Sequence, residues 1–191
     1  MTPTHLPGRL AIPSLPEQTR TPPSPDALEP FNTAGADEIR HTLLTCLNSP
    51  RWADRIAAHR PYPDVGSLLA ASDEAAYDLT PGDLAEALAE ETLPALPEGA
   101  YAAAHTALSA AYAAYESKFG HAFIICMDGL RATEALDQVL AGIRSRLAND
   151  PEEERVVAAE ELRRLAKARL IHALRGAGNG ATSPYGAAPG L

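Results

Sequence analysis

Tyr115 to Arg131 reads YESKFGHAFIICMDGLR. Its reading decides the fold, because Gly120-His121 halts a strong helical pattern and opens an apolar run before a second helical pattern begins. No strand alternation of useful length appears in it or elsewhere, so the chain reads as all-α. A segment that breaks helix between two strong helices points to a binding site.

Working outward, helix signals recur with their start and stop chemistry. On the C-terminal side Leu136, Leu140, Ile143 and Leu147 predict a helix from about Thr133. Asn149-Asp150-Pro151 stops it and caps another, with Glu152, Glu153 and Glu154 in the first turn where the helix dipole favours anions. That last helix is expected to reach about Leu174, with Leu162, Leu165, Ala166 and Leu170 inward. On the N-terminal side a long helix from about Glu98 to Lys118 carries Tyr101, Leu108, Tyr112, Tyr115 and Phe119 as one stripe. Before it, Thr80-Pro81 opens a helix ending near Glu90, with Thr as cap and Pro at the first helical position. Asp64 opens another, running toward Leu79. Ser49-Pro50 opens a short one with Trp52 and Ile56 on one face. Ile39, Leu43, Leu44 and Leu47 mark a first helix over Asp37 to Leu47, preceded by Phe31-Asn32. The sum is a single compact domain of about seven helices.

Composition sets the limits of that domain. Met1 to Pro30 holds eight prolines among Ser, Thr and Glu, and Gly176 to Leu191 is mostly Gly, Ala, Ser and Pro. Both ends are expected to be disordered tails, since such composition buries too little apolar surface to offset ordering. Residues 31–175 remain for the fold. A net charge of -9 and a pI near 5.1 argue against a nucleic-acid partner, which needs a basic patch. No export signal and no apolar run long enough for a membrane span is read, so a cytoplasmic location is expected. Cys46 and Cys126 lack the spacing of a metal or redox pair and read as reduced core residues.

The order of several pieces resembles one family. They are Phe31-Asn32, Cys46 with Ser49-Pro50-Arg51-Trp52-Ala53, Arg60-Pro61-Tyr62, Tyr115, Lys118-Phe119-Gly120-His121-Ala122-Phe123-Ile124-Ile125, Arg146-Leu147-Ala148-Asn149, Glu154, Ala158 and Arg169-Leu170. The chain resembles 2-oxo-4-hydroxy-4-carboxy-5-ureidoimidazoline (OHCU) decarboxylase over about Phe31 to Leu174. That resemblance implies an all-helical homodimer without metal or organic cofactor, taking a small-molecule substrate and forming (S)-allantoin in urate breakdown. It also implies an arginine that anchors the anionic substrate, placed at Arg146, and a backbone wall from His121 to Cys126, in which Phe123, Ile124, Ile125 and Cys126 meet the ring; read by its position alone, Arg146 at a helix end can instead pair with the last carbonyls or with Glu154.

Two family features do not carry over. The His-Pro pair that does acid-base work falls near Glu91-Thr92, where no histidine stands. The stretch expected to hold Glu-Gln is shortened to Leu93–Ala100 and keeps only Glu98. Glu91, Glu98 and His121 are therefore the candidate catalytic groups. His59 reads as a surface-loop residue, His105 as a packed or half-exposed helix residue, and Arg169 as the partner of a buried acid. The sequence supports a decarboxylase with a replaced catalytic loop; the alternative is a non-catalytic or repurposed relative that binds a small ring compound or a protein partner.

Overall fold

The computed structural model describes the backbone of residues 28–95 and 100–180, and all side chains within them except those of 100–105, 132 and 177–180. Among these residues the chain forms eight helices and no strand. They are α1 (Leu28–Thr33), α2 (Ala36–Cys46), α3 (Pro50–Ala58), α4 (Val65–Tyr77), α5 (Pro81–Ala89), α6 (Ala100–Phe119), α7 (Ala132–Arg146) and α8 (Pro151–Gly180).

The caps explain most boundaries. The Ser49 hydroxyl accepts from the Trp52 amide at 3.4 Å, and Asp64 Oδ1 from the Ser67 amide at 2.7 Å. Thr80 and Asp83 cap each other, Oγ1 accepting from the Asp83 amide at 3.2 Å and Oδ2 from the Thr80 amide at 2.9 Å. Asp150 Oδ1 accepts from the amides of Glu152 and Glu153, both at 2.9 Å. Each side chain satisfies donors that the first helical turn leaves without partners. At the other end of α6, Gly120 stops the helix at φ +79°, a conformation that a Cβ disfavours.

Two boundaries depart from the sequence reading. Helix α1 begins at Leu28, inside the stretch expected to be a tail. Leu28 and Phe31 are buried, and Arg60 Nη1 donates to the Phe31 and Ala34 carbonyls at 2.9 Å each. Asn32 also clamps Tyr62, giving its Nδ2–H to the Tyr62 carbonyl and taking the Tyr62 N–H, both at 2.9 Å. A short helix is thus held by contacts from roughly one helix-pair away in sequence. Helix α8 runs to Gly180, beyond the expected end, because extending an existing helix is far easier than nucleating one.

Two clusters form the core. Helix α8 lays Ala158, Leu162, Ala166, Leu170 and Leu174 against α1 to α5, where Leu43, Trp52 and Leu68 are fully covered. Trp52 also donates its indole N–H to the Ser72 carbonyl at 3.1 Å. The second cluster joins α6 to α7 through Leu108, Tyr112, Tyr115, Val139 and Ile143. The irregular segment lies between them. Phe123 and Ile125 enter the α6–α7 cluster, whereas Ile124 enters the α8 cluster. Alternate side chains of an extended chain face opposite ways, so one short segment serves two cores.

Candidate functional site

Helix α5 ends at Ala89, and Glu91 follows in a last turn closed by its amide on the Leu88 carbonyl at 3.2 Å. This turn brings Glu91 to Arg169 of α8. The two meet as a bidentate pair, Nη1 to Oε1 and Nη2 to Oε2, both at 2.7 Å. The Glu91 side chain is 7% exposed and that of Arg169 is 37%. Arg169 Nη1 further donates to the Cys46 carbonyl at 3.1 Å, tying it to the end of α2. The hydrogen bonds it donates to Glu91 raise the Arg169 pKa further, so the guanidinium is a permanent cation. Burial pushes the neighbouring Cys46 thiol up to about 11 against the pull of Arg169, which keeps it neutral.

This pair edges a cavity of about 330 Å³. Ile124 and Ile125 form its floor, and Leu165, Met127 and Leu93 to Ala95 line the rest. Among the described residues no hydrogen bond takes the backbone N–H or C=O of Ile125. The amide of Cys126 is engaged, donating to Glu161 Oε2 at 2.7 Å. Behind the pair lies a second, polar cavity bordered by Leu44, Thr45, Asn48 and Glu90.

The expected site residues separate. Glu91, Ile124 and Ile125 meet at the cavity just described. His121 faces another cavity, of about 260 Å³, with Leu84, Leu88, Lys118 and Arg155. Its ring stands edge-on to Tyr115 at 5.5 Å, and its Nδ1 contacts the Ala122 carbonyl at 3.0 Å. Phe123 is fully covered and packs its ring on Tyr115 at 5.1 Å, so its side chain belongs to the core. Glu98 lies outside the described residues, as does the His105 side chain.

Arg146, placed by resemblance as the substrate anchor, is turned inward. Its Nε and Nη2 donate to Glu154 Oε1 at 2.8 and 2.5 Å, Nη2 also to the Tyr115 hydroxyl at 2.9 Å, and Nη1 to the Ile124 carbonyl at 2.5 Å. Asn149 Nδ2 completes the group on Glu154 Oε2 at 2.9 Å, and the Tyr115 hydroxyl donates to Glu154 in a short bond. Burial, with that bond to Glu154, raises the Tyr115 pKa. The guanidinium also lies 4.7 Å from the Phe123 ring. This arrangement fixes the irregular segment from behind rather than presenting a charge to the cavity. The cation at the cavity is Arg169, read from sequence as an ion-pair residue. Its signal is an arginine at a helix position flanked by the inward residues Ala166 and Leu170, which calls for an acid. Glu161 gave no such signal, because one of its oxygens serves a backbone amide 35 positions away and the other an exposed arginine on its own helix, Arg164.

Fold and cavity define an all-helical domain with a concave, small-molecule-sized site whose one wall carries an arginine. The OHCU decarboxylase family model matches residues 32–95 and 89–171. The chain belongs to the OHCU decarboxylase family. Among solved structures it is similar to an (S)-allantoin synthase, at 20% identity and a TM-score of 0.60 over 76% of this chain and 53% of that one. It thus spans about half the length of that protein. It is also similar to an OHCU decarboxylase determined in the presence of (S)-allantoin, at 20% identity and a TM-score of 0.59 over 75% of this chain and 99% of that one. Comparison with curated proteins gives no match.

Proposed function

We propose that this chain decarboxylates 2-oxo-4-hydroxy-4-carboxy-5-ureidoimidazoline to (S)-allantoin, with the ring in the cavity over Ile124 and Ile125. The observation that carries this reading is the Glu91–Arg169 pair, which puts a cation and a carboxylate together at the cavity wall in a chain of this family.

In this reading Arg169 holds the substrate carboxylate in its planar guanidinium, and the backbone at Ile125 meets the ring amide. The bond between ring carbon and carboxylate then breaks, carbon dioxide leaves, and the electron pair moves into the conjugated C=N of the ring. The ring nitrogen that receives the charge takes a proton from solvent. Glu91 accepts the proton of the ring hydroxyl as that group becomes a carbonyl, and returns a proton to one face of the carbon bearing the ureido group. A single carboxylate held on one side of the ring gives one enantiomer. Glu98 and His121 remain proposed alternatives for the proton transfer, His121 from its separate cavity. No step needs a metal or organic cofactor. A cytoplasmic homodimer completes the reading and rests on family resemblance and composition alone.

The second reading, a non-catalytic relative that binds a ring compound, is favoured by the same pair in another respect. Glu91 fills the guanidinium that a substrate would use. One assay separates them: substrate freshly generated by uricase and the hydrolase that follows it, monitored by circular dichroism. Excess (S)-allantoin over the spontaneous racemate at micromolar protein supports the enzyme; no excess leaves the binding protein.

A further inference from the structure

The two cavities flanking Arg169 share three residues: Glu91, Thr92 and Arg169 itself. The ion pair is thus the partition between them. On one side are Ile124, Ile125, Leu165 and Met127, an apolar bed for a flat ring; on the other are Thr45 and Asn48, with hydrogen-bonding side chains. Both oxygens of a nearly covered carboxylate sit on Arg169, and one of its Nη1 donors is further committed to the Cys46 carbonyl. A ligand carboxylate that approaches the same bidentate face of the guanidinium meets that face already occupied.

We propose that Glu91 is an internal competitor for the ligand carboxylate. A carboxylate from outside displaces Glu91 from Arg169, the partition opens, and the two cavities become one site. The site takes a planar ring carboxylate that carries a polar, hydrogen-bonding arm, the ring over Ile124–Ile125 and the arm among Thr45 and Asn48. A neutral ring does not displace Glu91 and meets the closed partition. The exchange also runs backward: when the carboxylate ligand leaves, Glu91 returns to Arg169 and closes the partition again. This inference rests on the reading of the apolar cavity as the ring site, and on no catalytic step.

The test is binding of imidazole-4-carboxylate and of its neutral counterpart imidazole-4-carboxamide to the full chain by titration calorimetry. Removing the competitor's charge in Glu91→Gln is expected to tighten the carboxylate tenfold or more and to leave the carboxamide unchanged. Carboxylate affinity that is unchanged, weaker or undetectable in Glu91→Gln overturns the proposal. A second measurement uses the unaltered chain with nitrogen-labelled arginine. The Arg169 Nε–H resonance, assigned by its loss in Arg169→Lys, is expected to move with the carboxylate and not with the carboxamide, and a resonance indifferent to both overturns it. A chain that shows the exchange but no turnover loses the decarboxylase reading and keeps this one.

Discussion

Glu154 receives Arg146 through two donors of one guanidinium, at 2.8 and 2.5 Å, in a place where neither side chain meets solvent. A buried pair of this kind is unforgiving when half of it is removed, because the survivor keeps a charge without a partner. Arg146→Ala is expected to cost about 3–5 kcal/mol in urea denaturation. Arg146→Met with Glu154→Leu is expected to recover only part of that loss, since the Tyr115 hydroxyl and the Ile124 carbonyl are left without their partners. Because Arg146 holds the Ile124 carbonyl under the floor but does not line the Arg169 cavity, the double variant is expected to weaken neutral ring and ring carboxylate alike; a loss confined to the carboxylate would return the anchoring role to Arg146.

Arg169 should tolerate no conservative replacement. Lysine keeps the charge but offers a point donor where a planar bidentate one is needed. Arg169→Lys is expected to lower kcat/KM of the proposed reaction by roughly 100-fold or more, about 3 kcal/mol of transition-state stabilisation. Steady-state kinetics on freshly generated substrate checks this.

The Cys126 amide and Glu161 give a readout of the cavity floor. Glu161→Ala leaves that amide without its acceptor, and about 1–3 kcal/mol of stability is expected to go with it. Glu161→Gln retains an acceptor oxygen and should recover most of the loss. Thermal melts, with the amide resonance of Cys126 as local reporter, distinguish the two.

At high pH Cys46 should show itself. Its folded pKa, about 11, lies above the 9.0 of a free thiol, so the native state keeps a proton that the unfolded chain releases. Stability from this group is complete below the unfolded value and is lost as pH rises toward 11. The contribution is on the order of 2–3 kcal/mol across that window. Cys46→Ala is expected to start less stable because of its cavity, yet to fall less between pH 9 and 11 by calorimetry.

At the acid end the sign reverses. Asp83 is held below the usual carboxylate range by Thr80, and Glu160 by Arg163 and Arg164. Both favour the fold above the unfolded carboxylate value of about 4 and lose that effect as pH falls below it. Asp83→Asn is expected to flatten the acid limb of the melting-temperature curve.

Much of the fold was legible because its punctuation is local. Ser49-Pro50, Thr80-Pro81 and Asp150-Pro151 each place a cap beside the residue it serves, so helix starts can be read without knowing the tertiary structure. Helix α1 was not legible, since what holds it is a pair of carbonyls taken by Arg60 and an amide clamp from Asn32 to Tyr62. The site divides in the same way. The wall at Ile124 and Ile125 announces itself as a helix break, and Arg169 announces that it needs an acid. Which acid it finds, 78 positions away, is settled by how α5 packs near α8. Arg146 shows the converse: a match in order of residues carries no information on which way a side chain turns.

The segment from His121 to Cys126 also bears on folding. Phe123 and Ile125 are gripped by one core and Ile124 by the other. The cavity floor is therefore a mortise joint that exists only when both halves of the molecule have closed on it. Neither α1 to α5 with α8, nor α6 with α7, holds the floor of the proposed ring site alone. A variant that loosens either half is therefore expected to weaken the proposed ring site even where the other half stays packed.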